Sequence, residues 1–208
     1  MLRRRLMKSD VPEGFVDLGL PSGTLWAKGN ICKDANGKYY MGEETDYGCY
    51  FSWGNIDGHN NGEGYNFGSS IYGPYASTPG GKVSSNIASN DAQHDAALAC
   101  LGSPWHMPTK ENFQELYDNT DREWTSINGI NGRKFMKKTD HSVFVFFPAA
   151  GSGTGNSFND VGSNGYYWSS QMWSSQGAYS MMFDSYNINP RFSYCSRYCG
   201  CPVRPVVG

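Results

Sequence analysis

The chain predicts an α+β fold with two helices, short antiparallel strands and long irregular loops. Three observations lead there. Only two segments carry helical spacing, and the other apolar residues come in runs of four to six between Gly, Asn and Asp. Two glycine-rich stretches, Gly54 to Gly68 and Gly151 to Gly165, are too long to be tight turns. The 208 residues suffice for one core. They are read as a single domain over 13–208 behind a basic leader, 1–12.

The first helix is expected over Asn90 to Leu101, where Asn90 or Asp91 caps an alanine-rich run that Gly102 ends. The second follows Pro108, with Thr109 as its N-cap and Phe113, Leu116 and Tyr117 at i, i+3, i+4; it should end near Asn119. Strands are expected at Phe15 to Leu18, Thr24 to Ala27, Arg133 to Met136, Val143 to Phe147, Tyr166 to Ser169, Ala178 to Phe183 and Val203 to Val206. In the first glycine-rich loop Tyr65, Phe67, Tyr72 and Tyr75 imply packing, because exposed aromatics would otherwise lack a reason.

Composition narrows the function. No apolar run approaches the length of a membrane span, so membrane insertion is not expected. The net charge is -2 and no Lys follows Lys138, which argues against a nucleic-acid partner. The start, MLRRRLMKSD, is cationic, but Lys8, Ser9 and Asp10 stand where a signal peptide needs apolar residues.

The segment from Gly165 to Val206 is the richest in information. Between Tyr166 and Cys199 there are six Tyr and eight Ser in 34 residues, with no Lys or Glu. Tyr and Trp supply contact area for few rotatable bonds, and Ser, Gly and Asn adapt their hydrogen bonds to what lies opposite. Alternation on one strand should bury Tyr179, Met181 and Phe183 and present Ser180, Met182 and Asp184. Trp168, Tyr179 and Phe183 read as packing residues. Tyr186, Tyr194 and Tyr198 read as contact residues, since their neighbours show no apolar alternation.

Across nearly the whole length, VDLGLPSGTLWA (Val16 to Ala27), YFSWG (Tyr50 to Gly54), WHMPT (Trp105 to Thr109), FPAAG (Phe147 to Gly151), GYYWSS (Gly165 to Ser170) and VRPV (Val203 to Val206) follow in order. In these motifs the chain resembles the major paralogous domain family of gut bacteria, and more narrowly the variable proteins of diversity-generating retroelements. The resemblance implies a C-type lectin-like fold. It also implies that an error-prone reverse transcriptase rewrites adenines in the codons of about 166–201. The expected ligand-binding face is Met172, Trp173, Ser174, Ser175, Ser180, Met182, Asp184, Tyr186, Asn187, Asn189, Phe192, Tyr194, Cys195, Tyr198, Cys199 and Cys201. Its ligand would be a surface protein or a glycan, displayed from a virion or a bacterial cell surface. The alternative is a non-diversified domain of the same family with a structural or cell-envelope role.

Catalysis is not expected. Cys195, Cys199 and Cys201, spaced CxxxCxC, have no second cysteine pair or nearby His to complete a zinc site, and nothing beside them in the sequence would activate a thiol. They are read as accidental, with a disulfide left open, and Cys32, Cys49 and Cys100 as small buried hydrophobes. Glu43, Glu44 and Asp46 read as a solvated cluster. The sequence NINP at 187–190 lacks the acid a calcium site needs. No metal or cofactor is predicted, and the oligomeric state is left unassigned.

Overall fold

The computed structural model describes residues 13–68, 83–186 and 191–208, with the backbone alone at 191–193. The leader at 1–12, Tyr72, Tyr75, Asn187 and Asn189 lie outside the described residues. Asn128 and Gly129 both take positive φ, 52° and 81°, as a two-residue hairpin turn requires. Around this turn β5 (Thr120–Ile127) pairs antiparallel with β6 (Ile130–Lys137), which pairs in turn with β7 (Asp140–Pro148).

Four smaller antiparallel sheets complete the architecture. β1 (Phe15–Val16), β2 (Leu25–Ala27) and β13 (Val206–Val207) form one, with Val206 opposite Trp26. β3 (Ile31–Lys33) pairs with β4 (Tyr39–Met41), and β8 (Ser152–Thr154) with β9 (Ser157–Asn159). The last has the order β10 (Asn164–Met172), β11 (Gly177–Asp184), β12 (Arg191–Ser196). Two helices, α1 (Ala96–Leu101) and α2 (Lys110–Asn119), are present among the described residues.

The expected α+β, C-type lectin-like class is therefore corrected. Strand makes up 42% of the described residues and helix 9%, in five small antiparallel sheets, and no C-type lectin fold is shown. One reason is the shortening of α1. Its N-cap is Asp95, not Asn90 or Asp91, and residues 89–94 form turns. The Asp95 carboxylate accepts from the backbone N–H groups of Ala97, Leu98 and Met107, so it fixes both the helix start and the segment that returns toward α2. The second helix is as expected, with Thr109 and Asn112 forming a capping box. The other reason is β5, whose polar sequence is only half-buried yet pairs over its full length with β6.

The β10–β11–β12 sheet lies between two cores. Tyr167, Met181 and Phe183 enter a cluster with Trp26, Phe113 and Phe147. The adjacent Trp168, with Ala178, enters the opposite cluster with Phe51, Trp53 and Met107. Two indoles lock the second side: Trp53 Nε1 donates to the Ser169 carbonyl at 2.8 Å, and Trp168 Nε1 to the Phe51 carbonyl at 2.7 Å. A third cluster holds Phe67 and Tyr50 with Tyr65 packed against it, as expected for the first glycine-rich loop.

At several positions the packing admits only glycine, and one of them lies in the β10–β11–β12 sheet. Gly165 faces Phe183 across β10 and β11, and a Cβ there would stand 2.1 Å from the ring's Cζ. Gly165→Ala should therefore lower stability by about 2–3 kcal/mol, because a buried ring must leave its rotamer. Thermal denaturation would read the loss, and adding Phe183→Leu should restore part of it. If Gly165→Ala melts like the parent, the close approach is not constraining.

Candidate functional site

Alternation places β11 residues on two faces, and both faces are covered at mid-sheet. Ser180 sits opposite Trp168, on the side occupied by the second core, and is buried. Its assignment to an exposed face is corrected for that reason. Cys199 and Cys201 are likewise buried in that core, where Cys201 bridges to Phe51. Met182 and Asp184 are half-buried, Met181 and Phe183 buried, as the alternation required, whereas Tyr179 is half-buried rather than buried.

Exposure is concentrated at the end of the sheet where β10 turns into β11. Trp173 is 48% and Tyr194 55% exposed, and their rings stack at 3.9 Å with only 5° between planes. The turn is held by Trp173 N–H and Ser174 N–H donating to the Gly177 carbonyl, both at 3.0 Å. Ser174 Oγ accepts from Gln176 and Gly177 N–H at 3.1 Å, which tightens it further. Gly177 lies under the stack, with room for no more than a strained Cβ 3.2 Å from the Trp173 ring. Ser175 is exposed, Met172 half-buried against the second core.

A third aromatic residue lies beside the stack on the neighbouring strand. Tyr194 pairs with Tyr179, and the Lys110 ammonium stands 4.6 Å from the Tyr179 ring centre. Beside it Gln171 accepts from Lys110 N–H at 3.2 Å and donates to Glu111 at 2.6 Å, tying the rim to the first turn of α2.

Arg197 braces the same end from the other side, a role that composition alone did not reveal. Its guanidinium donates to the carbonyls of Ser175 and Val83 at 3.2 and 2.8 Å and lies 4.6 Å from the Trp53 ring. Burial lowers its pKa, and no carboxylate contributes to the shift. The only sequence signal was an Arg between Tyr194 and Tyr198 in a segment otherwise poor in charge.

The predicted residues do not form one continuous patch. Tyr186, 93% exposed, follows the opposite end of β11, eight strand residues or about 23 Å from the Trp173 turn. Its N–H donates to Asp184 Oδ1 at 2.9 Å. Tyr198 is half-buried against the second core, and Cys195 packs there too, opposite Ala178. Phe192 lies on β12 in register with Met181. No group of three or more His, Cys, Asp or Glu side chains suited to a metal occurs among the described residues. No helix among them is long and apolar enough to cross a membrane.

The site thus offers flat aromatic surface edged by Ser, Gln and a lysine on a braced turn, an arrangement suited to noncovalent contact. No curated protein and no solved structure matches the chain. Residues 119–206, which contain the whole β10–β11–β12 sheet and its stacked aromatic rim, match the profile of a family described as a domain of unknown function (DUF8237).

Proposed function

We propose that the chain is a ligand-recognition protein, whose segment 166–201 is diversified by a retroelement and contacts surface proteins or glycans without making or breaking bonds. The observation that carries this reading is the exposed Trp173–Tyr194 stack. Two large rings held parallel at the surface bring contact area whose ordering cost is met before a ligand arrives. The turn bonds and the Arg197 brace support the same reading, since they hold the rim to a sheet buried on both sides. The place of action proposed is a virion or bacterial cell surface.

The diversified set is proposed to be narrower than composition implied. It centres on Trp173, Ser174, Ser175, Tyr194 and Tyr186, while Ser180 and Cys201 belong to the core. Sequencing the gene with its flanking DNA in many descendant cells or particles tests this. Substitutions at the exposed codons, beside a near-copy of the 3′ end whose adenines match them, are expected. An invariant gene without such a copy would sink diversification.

Recognition is tested separately. The Trp173→Ala/Tyr194→Ala double variant should melt within about 1 kcal/mol of the parent, because both rings are half in water. Its retention on arrayed glycans and bacterial surfaces that hold the parent should fall by roughly tenfold or more. Undiminished retention would rule out the stack as the contact, and a large loss of stability would make it packing.

A further inference from the structure

Along β11, Gly177, Tyr179 and Met181 share one face, and each is covered differently. Met181 lies in the core that holds Phe113 of α2. Tyr179 is half-buried, with Lys110, the first residue of that helix, over its ring. Gly177 is covered by the Trp173–Tyr194 stack, since a Cβ there would meet both rings, at 3.2 and 3.5 Å. The helix therefore starts where the exposed stack ends, and its first turn forms one bank of the stack. The other bank is the turn before Gly177, where Ser175 and Gln176 are exposed.

The bank formed by α2 offers donor and acceptor together. An ammonium carries three N–H donors, and that of Lys110 stands over Tyr179. Tyr179 in turn faces Tyr194 on the next strand, where opposed side chains stand roughly 5 Å apart at Cβ. Glu111 is exposed and accepts from Gln171 through Oε2 at 2.6 Å, which leaves Oε1 open among the described residues. Gln171 is engaged at both ends, by Lys110 N–H and by Glu111, so it acts to position that carboxylate.

Size decides what such a surface can hold. Trp173 and Tyr194 are about half exposed, and aromatic side chains offer about 150–250 Å² each, so the stack presents on the order of 200 Å². Each side of a stable protein complex buries roughly 800 Å². Tyr186, the most exposed ring of the segment, follows the far end of β11 and does not enlarge the patch.

We propose that the ligand of this site is an uncharged hexopyranose exposed on a glycan. Such a ring has a face of C–H groups and an edge of hydroxyls, each both donor and acceptor. Its C–H face lies on the outer face of the stack, and its hydroxyls meet the Lys110 ammonium and Glu111 Oε1. The two opposite charges balance on that bank, which favours an uncharged sugar over an acidic one. The small area favours a sugar over a protein. The inference rests on the recognition reading of the stack and narrows its ligand.

The test titrates the ¹⁵N-labelled chain with the methyl glycosides of glucose, galactose, mannose and N-acetylglucosamine, with glucuronate and N-acetylneuraminate as acidic controls. Amide and indole NMR signals are followed. For at least one neutral glycoside the Trp173 indole and the amides of Gly177, Lys110 and Glu111 should shift and saturate, with an affinity on the order of millimolar for so few atoms. Lys110→Ala and Glu111→Ala should each weaken that binding by about threefold or more, in chains whose spectra otherwise match the parent. No saturable shift with any neutral glycoside overturns the inference. If bacterial surface proteins still hold the parent through Trp173 and Tyr194, the partner is a protein and the recognition reading stands without it. Tighter binding of either acidic sugar also overturns the inference, as do shifts at the stack that leave the Lys110 and Glu111 amides unmoved. The parent spectra alone decide that last point if a variant fails to fold.

Discussion

Arg204→Met is expected to cost on the order of 4 kcal/mol and to leave much of the population unfolded at temperatures where the parent is folded. Arg204 is fully buried and makes no salt bridge among the described residues, although the charge of Glu44 favours its protonated form. Its Nε donates to Asn30 Oδ1 at 2.8 Å, Nη1 to the carbonyls of Ala27 and Lys28 at 3.1 and 2.6 Å, and Nη2 to the Phe146 carbonyl at 2.7 Å. Phe147 presents its ring 4.8 Å from the guanidinium carbon. Burial pulls its pKa down to about 10, so the group stays charged at neutral pH. Methionine fills similar space but leaves that amide oxygen and three carbonyls short of a buried donor, which is the costly part. Arg204→Lys should fall between, because an ammonium keeps the charge and loses the planar fork. Denaturant titration measures both, and a Met variant as stable as the parent would show that those acceptors find other partners.

Asp95→Ala is the second large loss, about 3 kcal/mol, because it removes an N-cap together with the acceptor for Met107 N–H in a fully buried place. The pH dependence has a definite sign. Burial, the strongest influence, raises the Asp95 pKa above its ordinary 3.8 despite the hydrogen bonds from Leu98, Met107 and Ala97 that favour the carboxylate. The folded protein therefore holds this proton to higher pH than the unfolded chain does. Asp95 contributes most below 3.8, and part of that contribution is lost as pH rises through the raised folded value. Asp95→Asn should keep one acceptor, lose less stability than Ala, and remove this slope from a plot of unfolding free energy against pH. An unchanged slope would assign the dependence to other groups.

The local signals in the chain were read better than the global ones. Thr109 and the apolar spacing of Phe113 and Leu116 stated α2 outright, since capping and periodicity act over a few residues. The hairpin signal of Asn128 and Gly129 between two isoleucines was missed, because the charged residues of β5 masked a strand that is only half-buried. Burial of both faces of β10–β11–β12 could not be read from β11, because serine at 180 has the same chemistry on a wet face and under a core. What covers Ser180 comes from residues near 51, 53 and 107. Tyr186 and Tyr194 stood out by polar neighbours and are exposed, whereas Tyr198 had similar neighbours and turned inward with the Cys195–Cys201 turn.

The bond from Arg204 to Asn30 spans 174 positions, and the β2–β13 pairing beside it spans a similar distance. At a synthesis rate of about 5–20 residues per second, roughly 10–35 s separate the making of one partner from the other. Through that interval Trp26 and its neighbours have only the two-residue β1 to pair with and lack β13 on their other edge. Completion of this sheet therefore waits on the synthesis of β13, and holding chaperones should engage the nascent chain early and release it only when residue 207 is free of the ribosome.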